Sequence, residues 1–214
     1  KMSEALDYMQ SNKLYDFSAE PNKMHAGYTT ILNEYSAPFM FINSSDYRQP
    51  DTVIHEFGHY YNFYLMPELK WNDNNNLDAA EIHSQALELL MQPYYDQFFG
   101  ADQAEGQKIY SIYSIISNIL QGCAEDEFQQ AVFANPDLTL EEVNELHSEI
   151  FYQFTGSELY YEWVEIHHHF ETPFYYVSYA TSAISALEIW AQSLDDRNQA
   201  LSTYNQITQF TTNF

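Results

Sequence analysis

His55, Glu56 and His59 are the residues whose types and spacing could do chemistry. They stand in the string His55-Glu56-Phe57-Gly58-His59, two histidines four apart with a carboxylate beside the first. On a helix, residues four apart share a face, so both imidazoles can reach one ion. Zinc suits such a pair, because two imidazoles leave room for a third protein ligand and for a position that holds water. Glu56 can then take a proton from that water as it attacks a carbonyl. The chemistry is metal-assisted hydrolysis, with peptides as the expected substrate. The string is short, and taken alone it also fits a polar helix face that arose by chance.

A third ligand decides between those readings. Glu81, 22 residues after His59, is the best candidate. That separation allows one helix, a reversal, and a second helix packed on the first. Glu88 lies seven residues further on and faces the same side as Glu81, where it could orient a metal-binding imidazole from behind. An exposed acidic stripe is the alternative for both. His83 is two positions from Glu81 and is expected to point elsewhere, as a polar surface or substrate-side group.

Composition narrows the partners. The chain of 214 residues is long enough for one domain with a sizeable core. It carries 7 basic against 31 acidic residues, a formal net charge of −24. That argues against nucleic acid, whose phosphates require Lys and Arg, and against anionic membranes. It favours cationic partners or, equally, a solvated acidic surface. There is no run of about 18 apolar residues to span a membrane, and no signal-peptide pattern at the start. Cys123 is the single cysteine, so an internal disulfide is excluded and a reducing, cytoplasmic setting is expected. Its acidic neighbours Glu125, Asp126 and Glu127 make it a poor nucleophile. The chain begins at Lys1 rather than Met and is expected to be a piece of something longer.

The elements that must position these groups are mostly helical. Apolar spacing predicts a helix over about 1–16, with a break at Pro21 to Lys23. Tyr28 to Leu32 and Pro38 to Ile42, separated by Asn33-Glu34-Tyr35-Ser36, predict a β-hairpin. Its free edge could pair with an extended peptide and hold it across the metal. After a loop over 44–49, Pro50 and Asp51 open the metal helix, which runs to about Met66 and is stopped by Pro67. A polar loop at 71–76 precedes a second helix from near Asp78 to about Phe99, closed by Gly100. A long helix over about 103–134 is given a capping box by Asp102 and Glu105. Thr139 with Glu142 opens another, to about Phe154. A further helix leads into His167-His168-His169, Pro173 begins one that reaches Leu194, and residues 198–210 are weakly helical.

In these segments the chain resembles the thimet oligopeptidase and oligoendopeptidase F family of zinc peptidases. His55-Glu56-Phe57-Gly58-His59 has that family's Phe/Leu-Gly filling, and Glu81-Ile82-His83-Ser84-Gln85-Ala86-Leu87-Glu88 is similar to its second signature. His25-Ala26-Gly27-Tyr28 and Pro38-Phe39-Met40-Phe41-Ile42-Asn43 resemble its strands, and Cys123-Ala124-Glu125-Asp126-Glu127-Phe128-Gln129 its Asp-Glu-Phe helix. The resemblance runs in order over about residues 20–195. It implies a mainly α, helical zincin-like peptidase domain with a small β-hairpin or sheet beside the metal helix, Zn²⁺ on His55, His59 and Glu81, and short unstructured peptides as substrates.

The family stabilises the developing oxyanion with a His and tyrosines from a late block. Here that block is His168-His169-Phe170-Glu171-Thr172-Pro173-Phe174-Tyr175-Tyr176-Val177-Ser178-Tyr179. One register selects His168, and another, with a shorter spacing to the last Tyr, selects His169. The resemblance thus implies Glu56, His168, Tyr176 and Tyr179 as catalytic groups, Glu88 behind the metal, and His169, Tyr175 and Tyr28 as substrate contacts. Family members are much longer, with an N-terminal helical half that closes a channel over the zinc. Residues 1–214 are therefore expected to form a single catalytic domain lacking that half. The rival expectation is a helical domain that keeps zinc, or binds peptides, without cutting them.

Overall fold

The computed structural model describes residues 1–23, 26–43, 49–66, 79, 81–157 and 162–209. Helix α1 (Met2–Ser11) ends well short of the predicted boundary near residue 16. The Asn12 side chain donates to the Tyr8 carbonyl, and Lys13 turns into the left-handed region at φ 53°. The chain then reverses, and Tyr15–Asp16 becomes strand β1. The physical reason lies in Met9, which is buried with Met40, Ile42 and Tyr60 while Leu14 and Phe17 pack against the same cluster. Extending the helix would carry those two side chains away from it.

The predicted hairpin is present and gains a strand. β2 (Gly27–Leu32) pairs antiparallel with β3 (Ala37–Ile42), from Gly27 opposite Ile42 to Leu32 opposite Ala37. A 3₁₀ turn at Asn33–Tyr35, followed by Ser36 at φ 46°, closes it. β1 adds in parallel on the far side of β3, giving the order β1-β3-β2 and leaving β2 at an edge.

Helix α2 (Gln49–Leu65) carries the metal string and packs on both β2 and β3. Helix α3 (Ile82–Met91) lies against it. The predicted single helix to Phe99 is interrupted because Pro93 cannot donate within a helix. A 3₁₀ turn at Gln92–Tyr94 separates α3 from the short α4 (Tyr95–Phe99). Helix α5 (Ala101–Ala134) is the longest described element. It starts directly at Gly100, so Asp102 sits inside its first turn and the expected Asp102/Glu105 capping box does not form. The Thr139/Glu142 box does form, at the start of α6 (Leu140–Thr155).

The late block differs most from expectation. A 3₁₀ turn at Glu162–Glu165 leads into a one-turn helix, α7 (His168–Glu171). Pro173 starts no helix: Phe174 takes φ 65°, and α8 (Val177–Asp195) begins only after Tyr176. Helix α9 (Arg197–Ile207) follows, capped by the Asp196 side chain. The predicted loops at 44–49 and 71–76, the stop at Pro67, the helix start near Asp78, and His25 fall outside the described residues or at their margin. None of the described helices is long and apolar enough to cross a membrane.

The core explains the placement. Ile54 and Tyr61 of α2, Leu87, Leu89 and Leu90 of α3, Ile115 of α5, Ala183 and Ala186 of α8 and Tyr204 of α9 form one buried cluster. A second joins Ala124 and Phe128 of α5 to Ile150 and Phe151 of α6. The small Ala183 and Ala186 let α8 approach α3 and α5.

Gly58 sets the α2–α3 distance. A Cβ at this position would fall 2.5 Å from the His83 carbonyl oxygen and 2.6 Å from Ser84 Cα. Both are backbone atoms of the facing segment and cannot rotate away. Gly58→Ala should therefore force the helices apart, at a cost of about 1–3 kcal/mol typical of overpacking. Thermal unfolding should show the loss, and zinc titration should show weaker binding, since the metal ligands sit on both sides of this contact.

Candidate active site

Helix α2 presents His55 and His59 on one face, their rings 5.1 Å apart. Glu81 stands immediately before α3, and its Oε2 lies 3.3 Å from the Nε2 of both imidazoles. The three donor atoms all lie within 4.8 Å of one another. A tetrahedron with zinc–ligand bonds of about 2.0–2.1 Å has edges of about 3.3 Å. The donor set and its spacing thus fit Zn²⁺.

Each ligand is held from behind. Glu88 Oε1 lies 2.6 Å from His55 Nδ1, so that nitrogen donates to the carboxylate and Nε2 is the ring nitrogen that faces Glu81. The Ser84 hydroxyl donates to Glu81 Oε2 at 2.9 Å, and the Tyr175 hydroxyl donates to Oε1 at 3.1 Å. Burial alone would lower the His55 imidazole, but Glu81 and Glu88 outweigh it and hold it well above the ordinary range. Burial alone would raise Glu81, but His59 and His55 hold it well below the usual carboxylate range.

Glu56, 6 % exposed, is turned toward strand β2. The Thr29 hydroxyl of β2 lies 2.8 Å from its Oε2 and 2.9 Å from its backbone oxygen. Strand β2 comes this close because Gly27 has no side chain: a Cβ there would meet Thr52 Cγ2 at 2.6 Å and Glu56 Oε1 at 3.5 Å. The sheet edge is therefore fixed beside the carboxylate. Tyr28, on the same strand, is 44 % exposed and stacks on Phe41.

His168 stacks on Tyr175 with ring centres 4.8 Å apart and planes at 8°, and meets Tyr176 and Tyr179 edge-on. Burial pushes its imidazole down, toward the neutral form, against the pull of Glu81. Tyr179 is pushed up by burial and by the nearby Glu81 carboxylate, and so keeps its hydroxyl proton. A cavity of about 410 Å³ opens beside His55, lined by Asp51, Glu88, Asn118, Tyr176 and Tyr179 among others.

The structure separates the two candidate histidines. His168 lies in the Tyr cluster next to Glu81, whereas His169 turns to α5. Its Nδ1 lies 3.1 Å from the Trp163 carbonyl oxygen, its Nε2 lies 3.2 Å from Glu125 Oε2, and its side chain is 5 % exposed. The residue expected to contact substrate thus has both ring nitrogens turned to Trp163 and Glu125. Tyr175, also expected to touch substrate, spends its hydroxyl on Glu81. His83 is no surface group: it is 6 % exposed, faces His59 at 6.4 Å between ring centres, and is pushed down to about 3 by burial and by His59. Two residues outside the predictions matter. Ser84, three residues after Glu81, was legible from helical spacing. Thr29 had no sequence signal, because its role depends on the sheet reaching α2.

Several solved structures resemble the chain. PZ peptidase A, solved with an inhibitor, matches 98% of this chain at TM-score 0.88 and 27% identity, over 39% of its own length. A protein assigned as oligoendopeptidase F matches at TM-score 0.87 and 27% identity, with 98% and 39% covered. A Bacillus anthracis protein with the same assignment matches at TM-score 0.81 and 27% identity, with 98% and 36% covered. The chain thus spans under two fifths of the length of these proteins. No protein-family profile and no curated protein sequence matches it. The resemblance read from the sequence is borne out in the fold and in the metal triad.

Two outcomes are expected. Glu88→Ala should weaken zinc binding about 10- to 100-fold while leaving the fold intact, as calorimetric titration would show. For pH, burial would raise Glu125, but hydrogen bonds from His147 and His169 outweigh it and hold it below the usual carboxylate range. Its ionised form therefore stabilises the fold above about pH 4.3, and that contribution is lost as pH falls through the lowered folded value. Unfolding temperatures taken from about pH 6 to about pH 3 should fall more steeply in the native protein than in Glu125→Gln.

Proposed function

From a chain whose fold and metal triad are those of the oligoendopeptidase F-like zinc peptidases, we propose a zinc-dependent endopeptidase that hydrolyses internal bonds of short, unstructured peptides. The observation that carries this reading is the convergence of His55 Nε2, His59 Nε2 and Glu81 Oε2 within 4.8 Å of one another. Zinc held there supplies Lewis acidity and brings the pKa of water toward neutrality.

The chain's own residues do the rest. Glu56, braced by Thr29, accepts a proton from the attacking water and returns it to the leaving amine. His168 and the protonated hydroxyls of Tyr176 and Tyr179 donate to the carbonyl oxygen as it gains charge. Tyr175 orients Glu81 instead of joining that donor set. The free edge of β2 aligns an extended peptide backbone, with Tyr28 on its exposed side. An edge of this kind recognises main chain, which folded proteins keep paired, so the substrate class is flexible peptide.

Glu56→Gln is expected to bind zinc in full stoichiometry and to lose turnover of a quenched fluorescent peptide. His168→Ala should reduce kcat about 100-fold, the usual effect of removing one oxyanion donor. Cleavage by Glu56→Gln at the native rate, or native cleavage after zinc is chelated, would overturn the reading.

A further inference from the structure

We propose that Glu125 and Gln129 of α5 are positioning residues that fix the His168–Tyr179 segment over the metal triad, with Glu125 acting through a proton shared with His169. The inference rests on the donor role just given to that segment.

The segment leaves regular structure where the site needs it. Phe174 takes φ 65°, a conformation that residues with side chains rarely adopt, and Tyr175 and Tyr176 follow before α8 begins. Such a backbone persists only when its surroundings hold it. Three positions on one face of α5 do so. Gln129, 3 % exposed, accepts the Phe174 N–H on its Oε1 at 2.9 Å. Glu125, 1 % exposed, faces His169 at 3.2 Å. Gly122 lets the start of α8 touch the helix, since a Cβ there would lie 3.1 Å from the Tyr176 carbonyl oxygen and 2.9 Å from Ala180 Cβ. His168 and Tyr175, the residues that flank the two anchored positions His169 and Phe174, stack on each other, and Tyr175 reaches Glu81.

Proton counting gives the His169 contact its character. The Trp163 carbonyl can only accept, so the His169 Nδ1 that faces it at 3.1 Å carries hydrogen. A neutral ring would then turn a bare Nε2 toward the Glu125 carboxylate, two lone pairs in contact. A proton between Nε2 and Oε2 removes that clash. The other oxygen, Oε1, faces His147 Nε2 at 3.4 Å. Both imidazoles lie against the Phe128 ring, and the carboxylate also faces the Tyr176 phenol electrostatically. The Glu125 and His147 side chains are 1 % exposed and that of His169 5 %.

Glu125→Gln is the informative variant. Its amide can donate to the bare His169 Nε2 and accept from His147 without the extra proton. In the zinc-loaded protein, Glu125→Leu and Gln129→Leu should each lower kcat about 10- to 100-fold, as expected for groups moved by about 1 Å. KM, zinc stoichiometry and the absorption spectrum of the cobalt-substituted protein should stay as in the native protein. Glu125→Gln should restore kcat to within about twofold of native, consistent with a preserved geometry. Native kcat in Gln129→Leu, or loss of kcat only in step with loss of metal, would overturn the proposal. So would Glu125→Gln as impaired as Glu125→Leu. If Glu125→Leu does not fold, Glu125→Gln and Gln129→Leu carry the test. Native kcat in His168→Ala would instead defeat the donor role, and the anchoring claim with it.

Discussion

The site depends on a close backbone approach, where α2 meets α3 at Gly58. Two ligands come from one helix and the third from just before the other, so their separation is set by how near the helices can pass. With no Cβ at 58, the His83 carbonyl and Ser84 Cα occupy the space a side chain would need. Glu81 Oε2 is then carried to 3.3 Å from both imidazoles. The buried Ile54, Tyr61, Leu87 and Leu90 hold that approach from the core side. The glycine inside the motif is thus a packing residue that makes the chemistry possible.

Around this contact the protein is built in two layers of support. Next to the ligands stand hydrogen-bonding groups from different elements: Glu88 and Ser84 from α3, Thr29 from β2, Tyr175 from the turn before α8. Outside them, α5 runs past the site and meets α3, α6 and α8. A long helix is a suitable reference for irregular backbone, because its own geometry is fixed by its internal hydrogen bonds. The late turn has only short-range backbone bonds of its own, such as Tyr175 N–H to the Thr172 carbonyl, and is tied to α5 through Gln129 and Glu125.

What was legible in the sequence follows from how local each signal is. The metal triad was readable because two of its members are four apart on one helix and the third lies on the next. Glu88 was readable for the same periodic reason. The Thr139/Glu142 cap and the hairpin were also local patterns, and both formed. The α1 boundary was misread because Leu14 and Phe17 serve a cluster with the sheet and not a helix face. The late block was misread because Pro173 suggested a helix start, whereas Gln129, 45 positions away, holds Phe174 in a left-handed turn. His83 was misplaced because spacing from Glu81 gives a direction on the helix but not what lies there. Thr29 and the inward turn of His169 depend on tertiary contacts across 27 and 44 residues and left no trace in the string of letters.

The two oxygens of Glu81 face different parts of the protein. Oε2 addresses the cation position, and Oε1 receives the Tyr175 hydroxyl from the segment that carries His168. One carboxylate therefore enters two equilibria, cation binding and the docking of that turn. Their free energies are coupled, and the coupling is reciprocal. Whatever seats the turn alters the affinity for the ion, and the ion alters the seating of the turn by the same factor. The Tyr175–Glu81 hydrogen bond bounds the size of that coupling, so the ion and the turn are linked yet remain separable equilibria.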